Sequence, residues 1–347
     1  MKITVITSII ICSFLASSLG QANNGEKYVY KAGHPSLQEW ILPAKAPHPK
    51  DNPPTPARIA LGKKLFFDPR LSGDGSISCS TCHNPLLGWS DGLSKGIGFK
   101  GSNLPRATPS LINVGFNSIQ MWDGRNKTLE EQAMGPMEAS LEMNMDFAKL
   151  FSLLRSSKGY STAFESSYPG EGINAKTVSK AIANFERTII SNDSPFDRWV
   201  KGDKNAMTQK QINGFKLFVG KANCEACHSA PNFTDDGFHN VGLASWSEKT
   251  ADVGRFAQKP IRILKGAFKT PTLRDIERTA PYFHDGSSDN LEHTVRHYNK
   301  GGVTQENLDP NMKKLNLTKQ EIKDIVSFME ALTSPFIPVS LPEVPYK

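Results

Sequence analysis

The sequence predicts a mostly α-helical protein made of two similar domains connected by long loops. Three short segments are predicted to be helices, and in two of them, AKTVSKAIANFERTII and TKQEIKDIVSFMEALT, apolar residues recur at steps of three and four. They are TLEEQAMGPMEASLEM, AKTVSKAIANFERTII and TKQEIKDIVSFMEALT. Thr177 and Thr318 are the expected N-caps of the last two helices. A short cysteine–histidine motif that occurs twice, within a longer internal repeat, predicts the two domains.

The first residues predict an exported protein. Residues 1–22 contain one early lysine, an apolar run, and small residues at Gly20 and Ala22 where a signal peptidase could cut. A membrane anchor is the less favoured alternative, because the run is short and no second apolar span follows it. We therefore expect a periplasmic protein that does not span the membrane once the signal peptide is removed.

Composition, length and charge limit what structure and partners the rest of the chain can have. Residues 23–57 are rich in proline, and a stretch such as APHPKDNPPTPAR cannot hold a regular helix, so an extended lead-in is expected. The chain of 347 residues is long enough for two domains. Its formal net charge of +7 is spread along the sequence, which favours an ordinary solvated surface over nucleic-acid binding.

Three motifs recur in the same order in the two halves of the chain. They are GKKLF (from Gly62) and GFKLF (from Gly214), TPSL (from Thr108) and TPTL (from Thr270), and WDG (from Trp122) and HDG (from His284). In both halves the TP motif precedes the DG motif by fourteen residues. The repeat predicts a duplication with a boundary near residues 200–206. We expect domains at residues 58–203 and 204–335, followed by a tail at 336–347.

Each half carries one Cys-x-x-Cys-His motif, and the two motifs contain four of the five cysteines. The six residues concerned are Cys79, Cys82, His83, Cys224, Cys227 and His228. Two such cysteines can form thioethers with the vinyl groups of a haem, and the histidine then reaches the iron. A zinc site would need further ligands, and a thioredoxin-like motif would need a βαβ context. The motifs therefore predict two covalent c-type haems, with both histidines as proximal ligands.

The second axial position distinguishes the two predicted haems. Superimposing the repeats places Tyr298, seven residues after Leu291, opposite Pro136, seven residues after Leu129. Tyrosine can ligate ferric iron and proline cannot, so we expect one haem to be closed by Tyr298 and the other to be open. His297 is a rival ligand, and a buried aromatic role for Tyr298 is the other alternative.

An open haem needs a group that transfers protons. Glu142 follows Pro136 by six residues, on the stretch expected to cover the open face, although a solvated helix charge is the alternative. Trp122 stands at the repeat position of His284 and could relay electrons between the haems, with ordinary packing as its alternative.

Taken together, these motifs resemble the bacterial dihaem cytochrome c peroxidases and their relatives of the MauG type, which oxidise a partner protein. The resemblance runs from about residue 55 to 335 and is carried by five stretches. They are LFFDPRLS…CSTCHNPLLGWSDG, RATPSLINVGFNSIQMWDGR, LEEQAMGPMEASLEM, CEACH and FKTPTLRDIERTAPYFHDG. It implies two cytochrome c-like domains that each hold one haem.

The resemblance also implies roles for individual residues. His83 would hold the peroxide-reducing haem, and His228 would be the proximal ligand of the second haem. Glu142 matches the distal acid–base glutamate, Gln132 a distal-pocket glutamine, and Trp122 the tryptophan between the haems.

Three positions depart from the pattern of the peroxidase branch. Tyr298 stands where ordinary peroxidases have methionine, which is similar to the MauG branch. Phe99 stands about where reductively activated members carry a displaceable histidine, so we expect the open haem to be ready in the ferric state. Ala107 replaces an asparagine ligand of the family's calcium, leaving Thr279 and Pro281 as carbonyl donors. Calcium binding is therefore left open.

The predicted function is reduction of hydrogen peroxide to water at the open haem, with the second haem sharing the oxidising equivalents. A cytochrome c or a copper protein would supply the electrons. The alternative is a MauG-like enzyme that oxidises tryptophan or tyrosine residues of a partner protein. A dihaem electron carrier without enzymatic activity is less favoured, because it requires both haems to be six-coordinate.

Overall fold

The computed structural model describes residues 27–345, so the predicted signal peptide lies outside the described residues. The described part is mostly helical, as predicted. Its α-helices are α1 (Pro56–Phe66), α2 (Cys79–Cys82), α3 (Leu129–Glu138), α4 (Phe147–Ser156), α5 (Lys158–Ser167), α6 (Ala175–Glu186), α7 (Pro195–Val200), α8 (Gln209–Val219), α9 (Leu291–Lys300) and α10 (Lys319–Glu330). Strands β1 (Phe238–His239) and β2 (Phe268–Lys269) form one short antiparallel pair.

Several of the connecting loops contain a short 3-10 helix. These are Pro35–Trp40, Pro69–Leu71, Pro85–Leu87, Phe99–Gly101, Val114–Phe116, Cys224–Ala226, Ala244–Ser247, Arg255–Ala257, Arg262–Leu264 and Ile276–Arg278. No helix within residues 27–345 is long and apolar enough to cross a membrane.

Each half is organised by one helix crossing, which explains the repeated GxKLF motif. Helix α1 packs on α6, and α8 packs on α10. A Cβ atom at Gly62 would lie 1.9 Å from the carbonyl oxygen of Ala181, and one at Gly214 would lie 2.0 Å from that of Asp324. Only glycine therefore permits the close approach of the two helices in either half.

The DG motifs form equivalent hairpin turns. The segments Gln120–Asn126 and Tyr282–Ser288 are each closed by a backbone hydrogen bond from the first residue to the last, of 2.8 and 2.6 Å. The second residue of each turn has a positive φ, 72° at Met121 and 69° at Phe283. Such a conformation is rare for residues other than glycine, so its recurrence at matching positions confirms the internal duplication.

The helix ends agree with the sequence only in part. Thr318 caps α10, and its side chain accepts a hydrogen bond from the Glu321 N–H, as expected. The prediction for Thr177 was wrong, since Asn174 is the N-cap of α6 and Thr177 is the third helical residue, whose hydroxyl returns a bond to the cap. A reciprocal capping box has an oxygen-bearing side chain at both ends, which made the wrong residue look like the cap. Helix α3 ends at Glu138, whereas the segment predicted to be helical, TLEEQAMGPMEASLEM, continues to Met143.

The two ends of the described chain each pack on the opposite half. In the segment expected to be extended, Pro35–Trp40 is a 3-10 helix, and Leu37 and Trp40 are buried in the apolar core of the C-terminal half. At the other end, Val344 packs against the core of the N-terminal half. The Arg70 guanidinium also donates a 2.8 Å hydrogen bond to the Pro345 carbonyl. We call residues 27–45 and 336–345 the crossed straps.

Candidate active site

One cavity of about 600 Å³ is lined by residues of both halves. Every residue proposed from the sequence as a catalytic, haem-binding or calcium-binding group lies on its wall. These are Cys79, Cys82, His83, Trp122, Gln132, Glu142, Cys224, Cys227, His228, Thr279, Pro281 and Tyr298. The fold thus brings together side chains that are more than 200 positions apart in the sequence.

The two motif histidines have the same local geometry. His83 Nδ1–H donates to the carbonyl oxygen of Trp89 at 3.1 Å, and His228 Nδ1–H donates to that of Phe233 at 2.9 Å. Burial lowers the pKa of His83, and it lowers the pKa of His228 to about 4. Both rings are therefore neutral at pH 7, with the lone pair on Nε2, the form that binds a metal ion.

The motif cysteines lie in the cavity wall as free thiols. Cys79 and Cys82 begin and end α2, one helical turn apart, and none of the four described cysteines forms a disulfide. Burial raises the pKa of Cys82 to about 11 and that of Cys224 to about 12. Free thiols on the cavity wall, next to a neutral histidine, suit thioether attachment of a haem in each half.

Helix α3 and the turn that follows it form the wall of the N-terminal half. Gln132 and Pro136 face the cavity from α3, and Glu142 faces it from the turn, where its N–H bonds the Ala139 carbonyl at 3.0 Å. Burial raises the pKa of Glu142, and the charge of Arg125 opposes this shift. The Glu142 carboxyl therefore keeps its proton to a higher pH than an exposed glutamate does.

The loop that carries Phe99 supports this turn from outside. The Phe99 N–H donates to the Leu141 carbonyl at 3.0 Å, and a Cβ at Gly98 would come within 1.9 Å of that same oxygen. Phe99 is not among the described residues that line the cavity. The loop therefore fixes the backbone beside Glu142 and does not itself contribute Phe99 to the cavity wall.

In the C-terminal half, Tyr298 and His297 point in different directions. Tyr298 faces the cavity from α9, close to Cys224 and Cys227, and burial raises the pKa of its phenol. The His297 Nε2–H donates to the Val241 carbonyl at 2.7 Å, and the ring is not among the described residues that line the cavity. A ferric iron facing Tyr298 would stabilise the phenolate that burial alone disfavours.

Aromatic rings connect the two halves at the repeat-related DG turns. The Trp122 indole N–H donates to the Ala107 carbonyl at 2.9 Å, and its ring centroid lies 6.4 Å from that of His284. His284 in turn stacks on Phe268, with 3.4 Å between ring centroids. Burial lowers the pKa of His284 to about 4, so this ring is neutral.

The predicted calcium ligands are only partly present. Thr279 and Pro281 lie on the cavity wall, but residue 107 is a buried alanine whose methyl group cannot bind an ion. Its backbone N–H donates to the His284 carbonyl at 2.8 Å. Calcium binding stays a prediction.

Two polar groups on the cavity wall were not recognised from the sequence. Trp246 Nε1 and Glu186 Oε2 are buried without a hydrogen-bond partner among the described residues. The free thiols and the neutral histidines on the wall fit the attachment of a haem in each half.

A duplicated helical fold with one Cys-x-x-Cys-His motif in each half, around a shared cavity, defines a dihaem c-type cytochrome. Comparison with protein families agrees. Residues 56–205 match the family described as di-haem cytochrome c peroxidase, and residues 211–333 match cytochrome c. The chain belongs to the di-haem cytochrome c peroxidase family, which includes MauG.

Individual relatives carry both names. The methylamine utilization protein MauG of Methylorubrum extorquens is 42% identical over 335 residues, covering 96% of this chain and 93% of the relative. The cytochrome c551 peroxidase of Nitrosomonas europaea is 35% identical over 316 residues, or 90% of each chain. A crystal structure of a MauG-like protein associated with microbial copper homeostasis has a TM-score of 0.78 at 30% identity, covering 85% of this chain and 95% of that one. The protein is therefore a haem-dependent oxidoreductase.

Proposed function

We propose that this protein reduces hydrogen peroxide at the haem held by His83 and withdraws the two electrons from tryptophan or tyrosine side chains of a partner protein. Each peroxide takes up two electrons and two protons and yields two molecules of water. Export to the periplasm, as the N-terminal sequence predicts, is part of the proposal. The observation that carries it is that Tyr298 faces the cavity, while Pro136 stands at the repeat-related position.

When bound, the haem supplies an iron that binds peroxide on one face and accepts electrons one at a time. The chain supplies the proton transfer. Glu142 takes the proton from one peroxide oxygen and delivers it to the other, so that the second oxygen leaves as water. Its raised pKa makes the Glu142 carboxylate a better proton acceptor than an exposed glutamate. Gln132, on the same wall, orients the peroxide through its side-chain amide.

Trp122 and Tyr298 connect the first half to the second. The Trp122 ring lies between the halves, and its bond to the Ala107 carbonyl fixes the orientation of the ring, so we assign it to electron transfer. A phenolate from Tyr298 donates negative charge to a ferric iron and so lowers its reduction potential. A haem held by His228 and Tyr298 would therefore supply an electron to the first site and store an oxidising equivalent.

The electron source separates two versions of this function. Tyr298, together with the 42% identity to a methylamine utilization protein MauG, favours a protein substrate, and partners from methylamine utilisation are the first to test. The second candidate source is a small cytochrome c or copper protein, which the relatedness to the cytochrome c551 peroxidase favours. The steps at Glu142 are common to both.

The experiment is to add one equivalent of hydrogen peroxide to the fully oxidised holoprotein, without prior reduction, and to record visible and near-infrared spectra. A rapid change in the spectra of both haems is expected, because neither site needs an electron before it can react. If nothing changes until the protein is half-reduced, the first haem is closed by another ligand, and a reductively activated peroxidase is the better description.

Two neighbouring variants test the role of Tyr298. In Tyr298→Met, the second haem is expected to stop responding to peroxide in the oxidised protein, while the first still reacts. His297→Gln is the matched control, one position away on α9, and is expected to keep the response of both haems. A loss in His297→Gln with no loss in Tyr298→Met would show that His297 is the ligand.

Turnover then identifies the electron source. Steady-state peroxide consumption would be compared with a reduced small cytochrome c, with a reduced copper protein, and with a partner protein from methylamine utilisation whose aromatic residues are followed by mass spectrometry. Mass changes at tryptophan or tyrosine that need both peroxide and the enzyme support the protein substrate. Fast oxidation of the small redox proteins alone supports the peroxidase.

A further inference from the structure

A carboxyl group with no assigned role lies in the wall of the first haem site. Glu186 is the last residue of α6, is 4% exposed, and lines the cavity close to Cys79. Its Oε2 atom has no hydrogen-bond partner among the described residues. A buried carboxyl without partners is costly, so it requires an explanation beyond packing.

The internal repeat shows that the fold does not need a carboxyl at this position. The two helix crossings match Ala181 in α6 with Asp324 in α10. Five residues further along each helix are Glu186 and Met329, and both are buried on the cavity wall. The second half fills the position with an apolar side chain, so Glu186 is a specific feature of the first half.

The charged groups that act on Glu186 leave it without an ion-pair partner. Arg187 is next in sequence, but its guanidinium forms two hydrogen bonds, of 2.7 and 2.9 Å, with the carboxylate of Glu130 on α3. From α2, Cys79 is the titratable neighbour, and it loses its acidic proton when it forms a thioether. Burial raises the pKa of Glu186 to about 8, with Arg187 lowering and Glu130 raising it.

We propose that Glu186 is a redox-linked ionisable group of the first haem site, distinct from the peroxide proton carrier Glu142, and that it is protonated while the His83 haem is reduced and ionised while it is oxidised. When this haem gives one electron to an acceptor, Fe(II) becomes Fe(III), the Glu186 O–H bond breaks, and the proton passes to water. Reduction by a one-electron donor reverses both changes. The added positive charge on the iron favours the carboxylate across the low-dielectric wall.

The proposal depends on a haem in the first half but not on which substrate the enzyme oxidises. A redox titration contains neither peroxide nor a partner protein. Failure here would therefore leave the proposed function untouched, and failure of the proposed function would leave this test valid.

The first test is a spectroelectrochemical titration of the holoprotein at several pH values between about 6 and 10. The midpoint potential of the first haem is expected to fall as pH rises through this range. In Glu186→Gln, which keeps the shape of the side chain, and in Glu186→Met, which installs the residue of the second half, that dependence is expected to disappear. Glu138→Gln, at an exposed glutamate on α3, is the matched control, which also loses one ionisable carboxyl and is expected to keep the pH dependence.

A second measurement does not depend on the potential. The infrared difference spectrum between reduced and oxidised protein should show the loss of a protonated carboxyl C=O band on oxidation, and this band should be absent in Glu186→Gln. A midpoint potential that is independent of pH in the unsubstituted protein would overturn the proposal. So would a pH dependence, or a carboxyl band, that persists in both Glu186 variants.

Discussion

The two halves of the molecule share their main helix crossing and their DG turn but differ in several of the side chains that face the cavity. The helix crossings at Gly62 and Gly214 and the two DG turns have matching geometry. Three matched pairs of wall residues differ in chemistry, namely Pro136 and Tyr298, Trp122 and His284, and Glu186 and Met329. A duplicated scaffold thus holds two motifs in equivalent places, while a few substitutions make the two sites unequal.

This comparison separates structural residues from functional ones. The helix-crossing glycines that the two halves share lie where the backbone approaches another helix closely, so packing explains them, whereas the shared Cys-x-x-Cys-His motifs lie on the cavity wall. Residues that differ lie on the cavity wall, where packing accepts more than one side chain. The largest expected effects therefore come from substitutions that remove a difference between the halves.

The proposed acid–base residue of the first half should give the largest effect. Glu142→Gln removes the proton carrier and keeps the size of the side chain, so peroxide turnover should fall by about 10²- to 10⁴-fold. Stopped-flow kinetics with the oxidised holoprotein measure this loss. The spectrum of the second haem should be unchanged, and unaltered turnover would exclude Glu142 as the proton carrier.

Replacing Glu186 with the residue of the second half should change how stability depends on pH. The folded protein holds the Glu186 proton up to a pKa of about 8, whereas the ordinary value is 4.5, so the folded state binds more protons between these values. The contribution of Glu186 to stability therefore falls by about 5 kcal/mol as pH rises through this window.

Chemical denaturation of the holoprotein and of Glu186→Met, both with the first haem kept reduced, at pH values near 5 and 9 measures this effect. The variant should lose less stability than the unsubstituted protein on going to the higher pH. Equal losses in both proteins would show that Glu186 ionises normally in the folded state.

Substituting alanine for the glycine at each helix crossing tests whether the two crossings are packed equally closely. Gly62→Ala and Gly214→Ala each place a methyl group about 2 Å from a backbone carbonyl oxygen, so each should destabilise its half by about 1–3 kcal/mol or more. Thermal unfolding, followed at the absorption of each haem, should show similar losses. A large effect in one half only would mean that the second crossing is less tightly packed.

The smallest predicted effect concerns the N-terminal strap, which contacts the second motif. The Tyr28 hydroxyl lies within hydrogen-bond distance of the Glu225 carboxylate, inside CEACH. Tyr28→Phe should lower the free energy of unfolding by about 1 kcal/mol, mainly at the second haem. Val29→Ala, at an exposed position in the same segment, is the control and should leave stability nearly unchanged.

The sequence predicts most of this architecture, because the internal repeat consists of short motifs that can be recognised by their residues and spacing. The spacing from Thr108 to Trp122 equals that from Thr270 to His284, and the structure shows equivalent turns at these places. The cysteine–histidine motifs and the offset that pairs Pro136 with Tyr298 also identify residues that lie on the cavity wall.

The features that the sequence does not predict involve residues that are far apart in the chain and come together only in the folded structure. Glu186 and Met329 are equivalent only when the two helix crossings are compared. The number of residues that separates them differs from the number that separates the two DG turns, so a comparison based on the DG motifs does not pair them. Trp246 lies in a loop of the second half that has no counterpart among the repeated motifs. The crossed straps pack on residues that are remote in sequence, and no local pattern encodes that contact.

The crossed straps also determine the order in which the molecule can be completed. Tyr28 contacts a residue 197 positions later, and Arg70 bonds a carbonyl 275 positions later. In a chain synthesised from its N-terminus, the N-terminal strap cannot pack on the second half until Glu225 has been made. The C-terminal strap, which packs on the first half, is made later still. Each half is therefore completed by a segment that is remote from it in the sequence.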